Sequence, residues 1–398
     1  MQKATGNDVQ AEATLTQAVW TAEIARRDDI VARAGIALAG YGVYASPPRV
    51  TEARIWHGLA VAAAKRTGSE HEYEAGSKLV EAVLDVYEGN VKAGVVAGEA
   101  SFAASTQEYG ANSGIVYSHE ILFAGTLARA LQYAKAAPHY EHAIAVRSQF
   151  VGDNYPDVAL AWSNLAVCYH FMGELDRARA TFGKALALRE KLFGAASPVL
   201  VPTLDNYGVF LTQTDDPTKA RAMLERALVL AEGIPGKDTP DYDVVATDRA
   251  DAVVAQGKLA EAHALFDALL ESETTRKSST LPATQTSRAL LALAEKDVVA
   301  AERYARLAIA GFEAVGGKDN PELWKPAAAL GRALAAQALS MPGSAAPLTG
   351  SNGAVGTSAR GLKTEEARMA LHRAIDIGTS LQLAPALLQP ARDALGTL

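Results

Sequence analysis

The sequence predicts an all-α fold, a right-handed superhelical α-solenoid of antiparallel helix pairs, and three observations predict it. Glycines recur at Gly68, Gly110, Gly152, Gly194 and Gly236, 42 residues apart at each step. A G-x-x-x-P phrase joins Gly152 to Pro156, Gly194 to Pro198, Gly236 to Pro240 and Gly317 to Pro321. Glycine suits the left-handed residue that ends one helix and proline the first turn of the next, so the phrase stops a helix and starts another. Finally, no segment sustains period-two alternation with β-branched enrichment, which leaves strands without a good candidate. A lone pair of helices of ~15 residues is marginal in water. Each buried Leu or Phe contributes roughly 1.5–3 kcal/mol, so stacking neighbouring pairs is what stabilises every unit and lines a concave face with first helices.

Taken in order, the segment from about Val9 to Arg27 reads as a second helix without its first, so the chain is expected to be a fragment of a longer one. Units then follow near 29–70, 71–112, 113–154, 155–196, 197–238, 239–279, 280–320 and 321–382. The unit 29–70 shows its second helix as VTEARIWHGLAVAAAKRTG, and 71–112 fits with more glycine. Unit 113–154 carries Leu122, Leu127, Ala136, Tyr140 and Ala143. Unit 155–196 is the clearest. From Pro156 to Met172, Trp162, Leu165, Ala166 and Tyr169 fall on one face of a 3.6-residue period. Gly173 breaks that helix, and from Glu174 onward Leu175, Ala178, Phe182, Ala185, Leu186 and Leu188 line a second. Small residues at Ala166 and Ala178 favour close antiparallel packing.

The pattern returns as Asn206, Tyr207, Gly208, Ala220, Leu224 and Ala227, and again as Ala250, Gly257, Ala262 and Phe266. The unit 280–320 keeps Ala301 and Ala308 but is about three residues short. In the last unit the first helix, Pro321 to about Leu339, is separated from the second, Thr364 to about Leu381, by residues 341–362. That insertion is rich in Gly, Pro, Ser and Thr and is expected to be flexible, having too little apolar surface to offset its ordering entropy. Ala386 to Leu395 fits a short capping helix.

At 398 residues and 49% hydrophobic, the chain can bury a large core. A net charge of −7 argues against nucleic-acid or membrane-surface binding, which needs basic patches. One cysteine, Cys168, excludes an internal disulfide framework and a four-cysteine zinc site. The N-terminus shows no signal-peptide or transit-peptide pattern, and no apolar run approaches the roughly 18 residues that a span needs. No cofactor is expected.

The run W162-S-N-L-A-V-C-Y169 with Gly173, Ala178, Phe182, Ala185 and Leu186 resembles the tetratricopeptide repeat. The 42-residue period and the phrase ALALREKLFG at Ala185 to Gly194 resemble its kinesin-light-chain subtype. AVWTAEIARRDDIVARAGIAL at 18–38 and TEARIWHGLAVAAAKRTGSEHEYEAGSKL at 51–79 resemble the repeat region C-terminal to the kinase domain of myxobacterial-type serine/threonine protein kinases. That resemblance implies a regulatory or substrate-recruiting region with a kinase domain in cis. It also implies a cytoplasmic place, or an extracytoplasmic one if a span precedes the repeats. The chain itself contains no glycine-rich loop with a V-A-I-K-like strand, no H-R-D and no D-F-G, and is not expected to be an enzyme.

The remaining candidates for chemistry weigh towards packing. His139 and His142 share a helix face, and with Glu141 or His119 they would make a metal set, but the H-E-x-x-H pattern and a third ligand are missing. Cys168 and His170 are two apart on one helix and point away from each other. Gly316-Gly317-Lys318-Asp319 lacks the spaced glycine and hydroxyl of a phosphate loop. Ser344, Thr349, Ser351, Thr357 and Ser358 in the insertion offer hydroxyls to a kinase, although a tolerated loop insertion is the better explanation of them.

Recognition is therefore expected on the first helices, off the packing stripe, with a protein or peptide as partner. Asn164, His170 and Phe171 lie there in the clearest unit; one period on lie Asp205, Asn206 and Gln213, and beyond them Asp248 and Asp251. The kinesin-light-chain resemblance implies a groove asparagine that holds an extended peptide by its main chain, since an amide both donates and accepts. Asn164 and Asn206, one period apart, fit this role, or else bond neighbouring helices. Arg129 precedes them on the same face and the aspartates follow, so an acidic peptide segment is expected near Arg129 and a basic or hydroxyl-rich one near the aspartates. A structural or self-association module with no peptide in the groove is the alternative.

Overall fold

The computed structural model describes residues 6–45, 49–152, 154–214, 216–233, 239–318, 320–341, 348–349, 355–356 and 359–398. Among them it is an all-α repeat solenoid, the fold class that the periodicity predicts. The helices are α1 (Gly6–Ile24), α2 (Asp28–Val43), α3 (Val50–Thr67), α4 (Glu70–Tyr87), α5 (Val91–Tyr109), α6 (Gly114–Arg129), α7 (Tyr133–Val151), α8 (Pro156–Phe171) and α9 (Leu175–Phe193). They continue as α10 (Val201–Gln213), α11 (Pro217–Glu232), α12 (Pro240–Ala255), α13 (Leu259–Arg276), α14 (Leu281–Ala294), α15 (Val298–Gly316), α16 (Trp324–Ser340), α17 (Ala359–Ser380) and α18 (Pro385–Gly396).

The glycine–proline phrase works locally as its chemistry requires. Gly152, Gly194 and Gly317 take φ of +74°, +82° and +67°, a region closed to most side chains. Pro156 and Pro240 begin α8 and α12, whereas Pro198 and Pro321 each begin a single 3₁₀ turn that leads into α10 and α16. Gly236 lies outside the described residues. Where Gly114 replaces the linker proline, Ser113 Oγ takes over by accepting the Val116 N–H at 3.1 Å as an N-cap.

The chain divides into two compact units, and the division falls within α8 and α9. The first holds Met1–Cys168 with Ala187–Leu192, the second Tyr169–Leu186 with Phe193–Leu398. In the first, α2 packs on α3, α4 on α5 and α6 on α7, with Val31, Leu38, Leu84, Phe123 and Tyr140 fully or almost fully buried. In the second, the pairs are α10 with α11, α12 with α13, α14 with α15 and α16 with α17. Their core is aromatic near the start, where Phe182 stacks on Tyr207 with ring centroids 5.3 Å apart, and alanine-rich later, at Ala289, Ala305, Ala329 and Ala367.

Small residues set the helix spacing: a Cβ on Gly208 of α10 would stand 2.5 Å from Leu224 Cγ of α11, and one on Gly331 of α16 equally close to Leu371 of α17. Helix α17 starts at Ala359, earlier than the expected Thr364, and takes the end of the insertion into its first turn. Within the insertion Leu348–Thr349 and Val355–Gly356 pair as a two-residue antiparallel ladder, a small exception to the expected absence of strands. Of its hydroxyl residues, Thr349 lies in that ladder, and Ser344, Ser351, Thr357 and Ser358 lie outside the described residues.

Candidate functional site

Seen from the second unit, the first helices bring three of the sequence-predicted residues together. Asp205 sits one turn into α10, and Asp248 and Asp251 lie three apart on α12, so they share a helix face. The carboxyl groups of Asp205 and Asp248 face each other at hydrogen-bonding distance. Asp251 Oδ2 accepts from Ser287 Oγ of α14 at 2.7 Å. Asp205 is 8% exposed, and its Oδ1 is buried without a hydrogen-bond partner.

Burial governs the protonation of this cluster. It pushes Asp205 up to about 7, with Asp248 holding it down through the shared hydrogen bond and Asp241 adding negative charge. Asp248 is pushed well above the usual carboxylate range by burial and then by the charges of Asp205 and Asp251, against the pull of Lys325. Asp251 rises to about 6 through burial, opposed by Ser287 and Lys325. Burying several carboxyls side by side disfavours ionising all of them, and the nearby cation is Lys325 of α16.

His170 at the end of α8 is buried and its Nε2 pairs with Gln213 Oε1 at 3.0 Å. Its ring meets Phe210 edge-on at 5.3 Å and lies 4.8 Å from the Phe171 ring. Burial lowers the pKa of His170 against the hydrogen bond it donates to Gln213 Oε1, and Lys325 lowers it further, so the imidazole is neutral near pH 7. His170 and Gln213 thus hold each other. The Phe171 carbonyl accepts the Ala384 backbone N–H at 3.0 Å, and Ala384 lies where a Cβ on Gly173 would meet it at 3.0 Å. The turn between α17 and α18 therefore packs on the end of α8.

The two asparagines have internal partners. Asn206 Nδ2 donates to the Pro202 carbonyl of its own helix at 2.8 Å. In the first unit, the Asn164 amide donates to the hydroxyl of Tyr140. Arg129, also of the first unit, is exposed and lays its guanidinium 4.6 Å over the Tyr87 ring. Period arithmetic placed these residues on first helices but could not choose their partners. It missed Ser287 and Lys325, which come from the units whose register departs from 42; aligning α14 and α16 by their buried alanines would have found them.

The other candidates resolve as packing. His139 Nδ1 and His142 Nδ1 both bond the buried Glu120 carboxylate, at 3.1 and 2.7 Å, rather than Glu141 or His119. Among the described residues no group of three or more His, Cys, Asp or Glu is placed to hold a metal ion. Cys168 is fully buried, and burial pushes its thiol up to about 12, far from a reactive thiolate. Among the described residues no helix is long and apolar enough to cross a membrane.

Comparison with known proteins agrees with the repeat architecture. Residues 117–191 and 200–272 match the family model described as tetratricopeptide repeat. A clustered mitochondria protein homolog of Emericella nidulans is 23% identical over 190 residues, 46% of this chain. The matched region spans 16% of that relative's length. Among solved structures, the apo form of the quorum sensor NprR from B. thuringiensis covers 93% of this chain and 99% of its own at a TM-score of 0.54 and 12% identity. A Rap protein complexed with competence and sporulation factor covers 89% of this chain and 99% of its own at 0.53, also at 12% identity. At that identity the likeness is one of fold. The chain carries tetratricopeptide repeats across 117–191 and 200–272.

Proposed function

We propose that the chain is a binding scaffold that receives a peptide or protein segment on the first-helix face of its second unit. The observation that carries this reading is the Asp205–Asp248–Asp251 cluster, in which carboxyl groups from two first helices meet, Asp205 buried and Asp248 and Asp251 half-buried. Folding alone is better served by apolar residues at such positions, because buried carboxyls cost desolvation energy. The Rap protein among the structural neighbours is complexed with competence and sporulation factor, which is compatible with this use of the fold. Panning a displayed library of ten-residue peptides against the chain tests it. The expected result is a set of sequences that the Asp205→Ala plus Asp251→Ala variant no longer retains. Equal retention by that variant would contradict the site.

The proposed setting is a regulatory or substrate-recruiting region of a serine/threonine protein kinase. Its support is the resemblance at 18–38 and 51–79, and the coding sequence upstream of Met1 tests it. A kinase domain there bears the setting out, and its absence removes it.

A second reading is favoured by the Ala384–Phe171 hydrogen bond, which ties the chain's own C-terminal turn to this face. In that reading the face is occupied in cis and the module serves self-association or spacing. Sedimentation that shows tight self-association, with no peptide selected in the panning, would favour it.

A further inference from the structure

We infer that His263, Arg288 and Asp267 form a pH-sensitive exchange of partners between α13 and α14, in which uptake of a proton by His263 hands the Arg288 guanidinium to Asp267. The geometry defines the neutral state. Arg288 Nη2 of α14 stands 2.7 Å from His263 Nδ1 of α13. A guanidinium has donors and no acceptor, so Nδ1 is the bare, accepting nitrogen of a neutral imidazole. The ring proton is then on Nε2, which donates to Glu295 Oε1 at 2.6 Å. A protonated imidazole cannot keep this arrangement, because its Nδ1–H would face an N–H donor, cation against cation.

A second acceptor for the same guanidinium is already in place. Asp267 follows His263 by one turn of α13, and its Oδ1 is 3.7 Å from Arg288 Nε, too far for a hydrogen bond. Arg288 is 8% exposed, and its Nε is buried without a hydrogen-bond partner, so a donor is vacant on the side of Asp267. On protonation of His263, Arg288 Nε closes on the Asp267 carboxylate, and His263 with Glu295 becomes a full ion pair. The other surroundings leave this exchange undisturbed. Helix α13 packs against α12 and α14. From α14 the charged groups facing His263 are Arg288 and Glu295. On α12, Asp241, Asp243, Asp248, Arg249 and Asp251 form no hydrogen bond or ion pair with it among the described residues. Ser287, the residue before Arg288, donates to Asp251, so the exchange takes place one residue from the candidate face.

The test is NMR spectroscopy of the whole chain with isotope-labelled histidine and arginine, taken from pH 8 to pH 5, the range in which histidines ordinarily titrate. Signals are assigned with His263→Gln and Arg288→Lys. At pH 8 His263 is expected as the tautomer with its proton on Nε2. As His263 takes up its second proton, the Arg288 Nε–H signal should shift with the same midpoint, and His263→Gln should abolish that shift. Asp267→Ala, checked by its thermal midpoint, should leave His263 titrating and at least halve the Arg288 shift. A proton on Nδ1 at pH 8 would overturn the inference from the unaltered chain alone. So would a His263 that stays neutral down to pH 5, or an Arg288 signal that does not follow its titration. An Arg288 shift that persists in His263→Gln would belong to another group and overturn it as well.

Discussion

The backbone N–H of Ala384 donates to the carbonyl oxygen of Phe171 across 3.0 Å, fastening the turn before α18 to the end of α8. Ala384 has φ −52° and ψ 133°, values that suit a proline, so Ala384→Pro removes the donor at a position whose own backbone angles it can keep. Losing that hydrogen bond costs about 1 kcal/mol. Hydrogen exchange followed by mass spectrometry should show faster exchange across α18 in this variant, with α10 to α13 unchanged. Unaltered exchange in α18 would mean that its packing on α16 and α17 holds it in place without the bond.

The carboxyl cluster gives stability a definite dependence on pH. Asp205 and Asp251 have folded-state values of about 7 and about 6, both above the ordinary 3.8 of an unfolded chain. Groups raised in this way favour the folded state fully below about pH 4, and that advantage is lost as pH rises through about 6 to 7. The thermal midpoint of the second unit should therefore fall by a few degrees, roughly, between pH 5 and pH 8. In Asp205→Asn the fall should be visibly smaller, because an amide neither ionises nor needs its proton. Parallel curves for the two proteins would contradict the assignment.

Close approach between α10 and α11 depends on Gly208. An added Cβ would meet Leu224 Cγ at 2.5 Å, so Gly208→Ala forces the helices apart or Leu224 out of its rotamer. The expected loss is about 1–3 kcal/mol, read from urea unfolding. Combining it with Leu224→Ala should cost less than the sum of the two single changes, because the smaller side chain makes room for the new methyl.

Glu120 tests whether the paired histidines are structural. Its carboxylate is 2% exposed and accepts from both His139 and His142. Glu120→Ala should lower the thermal midpoint of the first unit through a loss of about 1–3 kcal/mol from the unpaired imidazoles. Added zinc should leave the midpoint of the unaltered chain where it was; a zinc-dependent rise would restore the metal reading.

How far the sequence reached depends on what kind of order each feature has. Helix limits follow from local chemistry, and so Pro156 to Met172 was within a residue of α8 and Ala386 to Leu395 within a residue of α18 at either end. Asp205, Asp248 and Asp251 were legible as an acidic run on one face because Asp205 and Asp248 lie about one period apart and Asp251 follows Asp248 by one helical turn. Their shared burial was not, since it depends on Ser287 and Lys325 in units that break the period. Asn164 and Asn206 show the opposite limit. They are one period apart and look equivalent, yet one bonds Tyr140 and the other its own helix at Pro202. Nor does any pattern in the chain forecast that Ala384 returns to Phe171, because long-range closure leaves no local signature.

The most direct test of the central claim is hydrogen exchange of the whole chain with and without the peptides selected by panning. The account predicts slowed exchange in α10 and α12, the helices that carry Asp205, Asp248 and Asp251, and loss of that slowing in Asp205→Asn. Peptide-induced slowing confined to helices outside the second unit, with α10 and α12 unchanged, would contradict it.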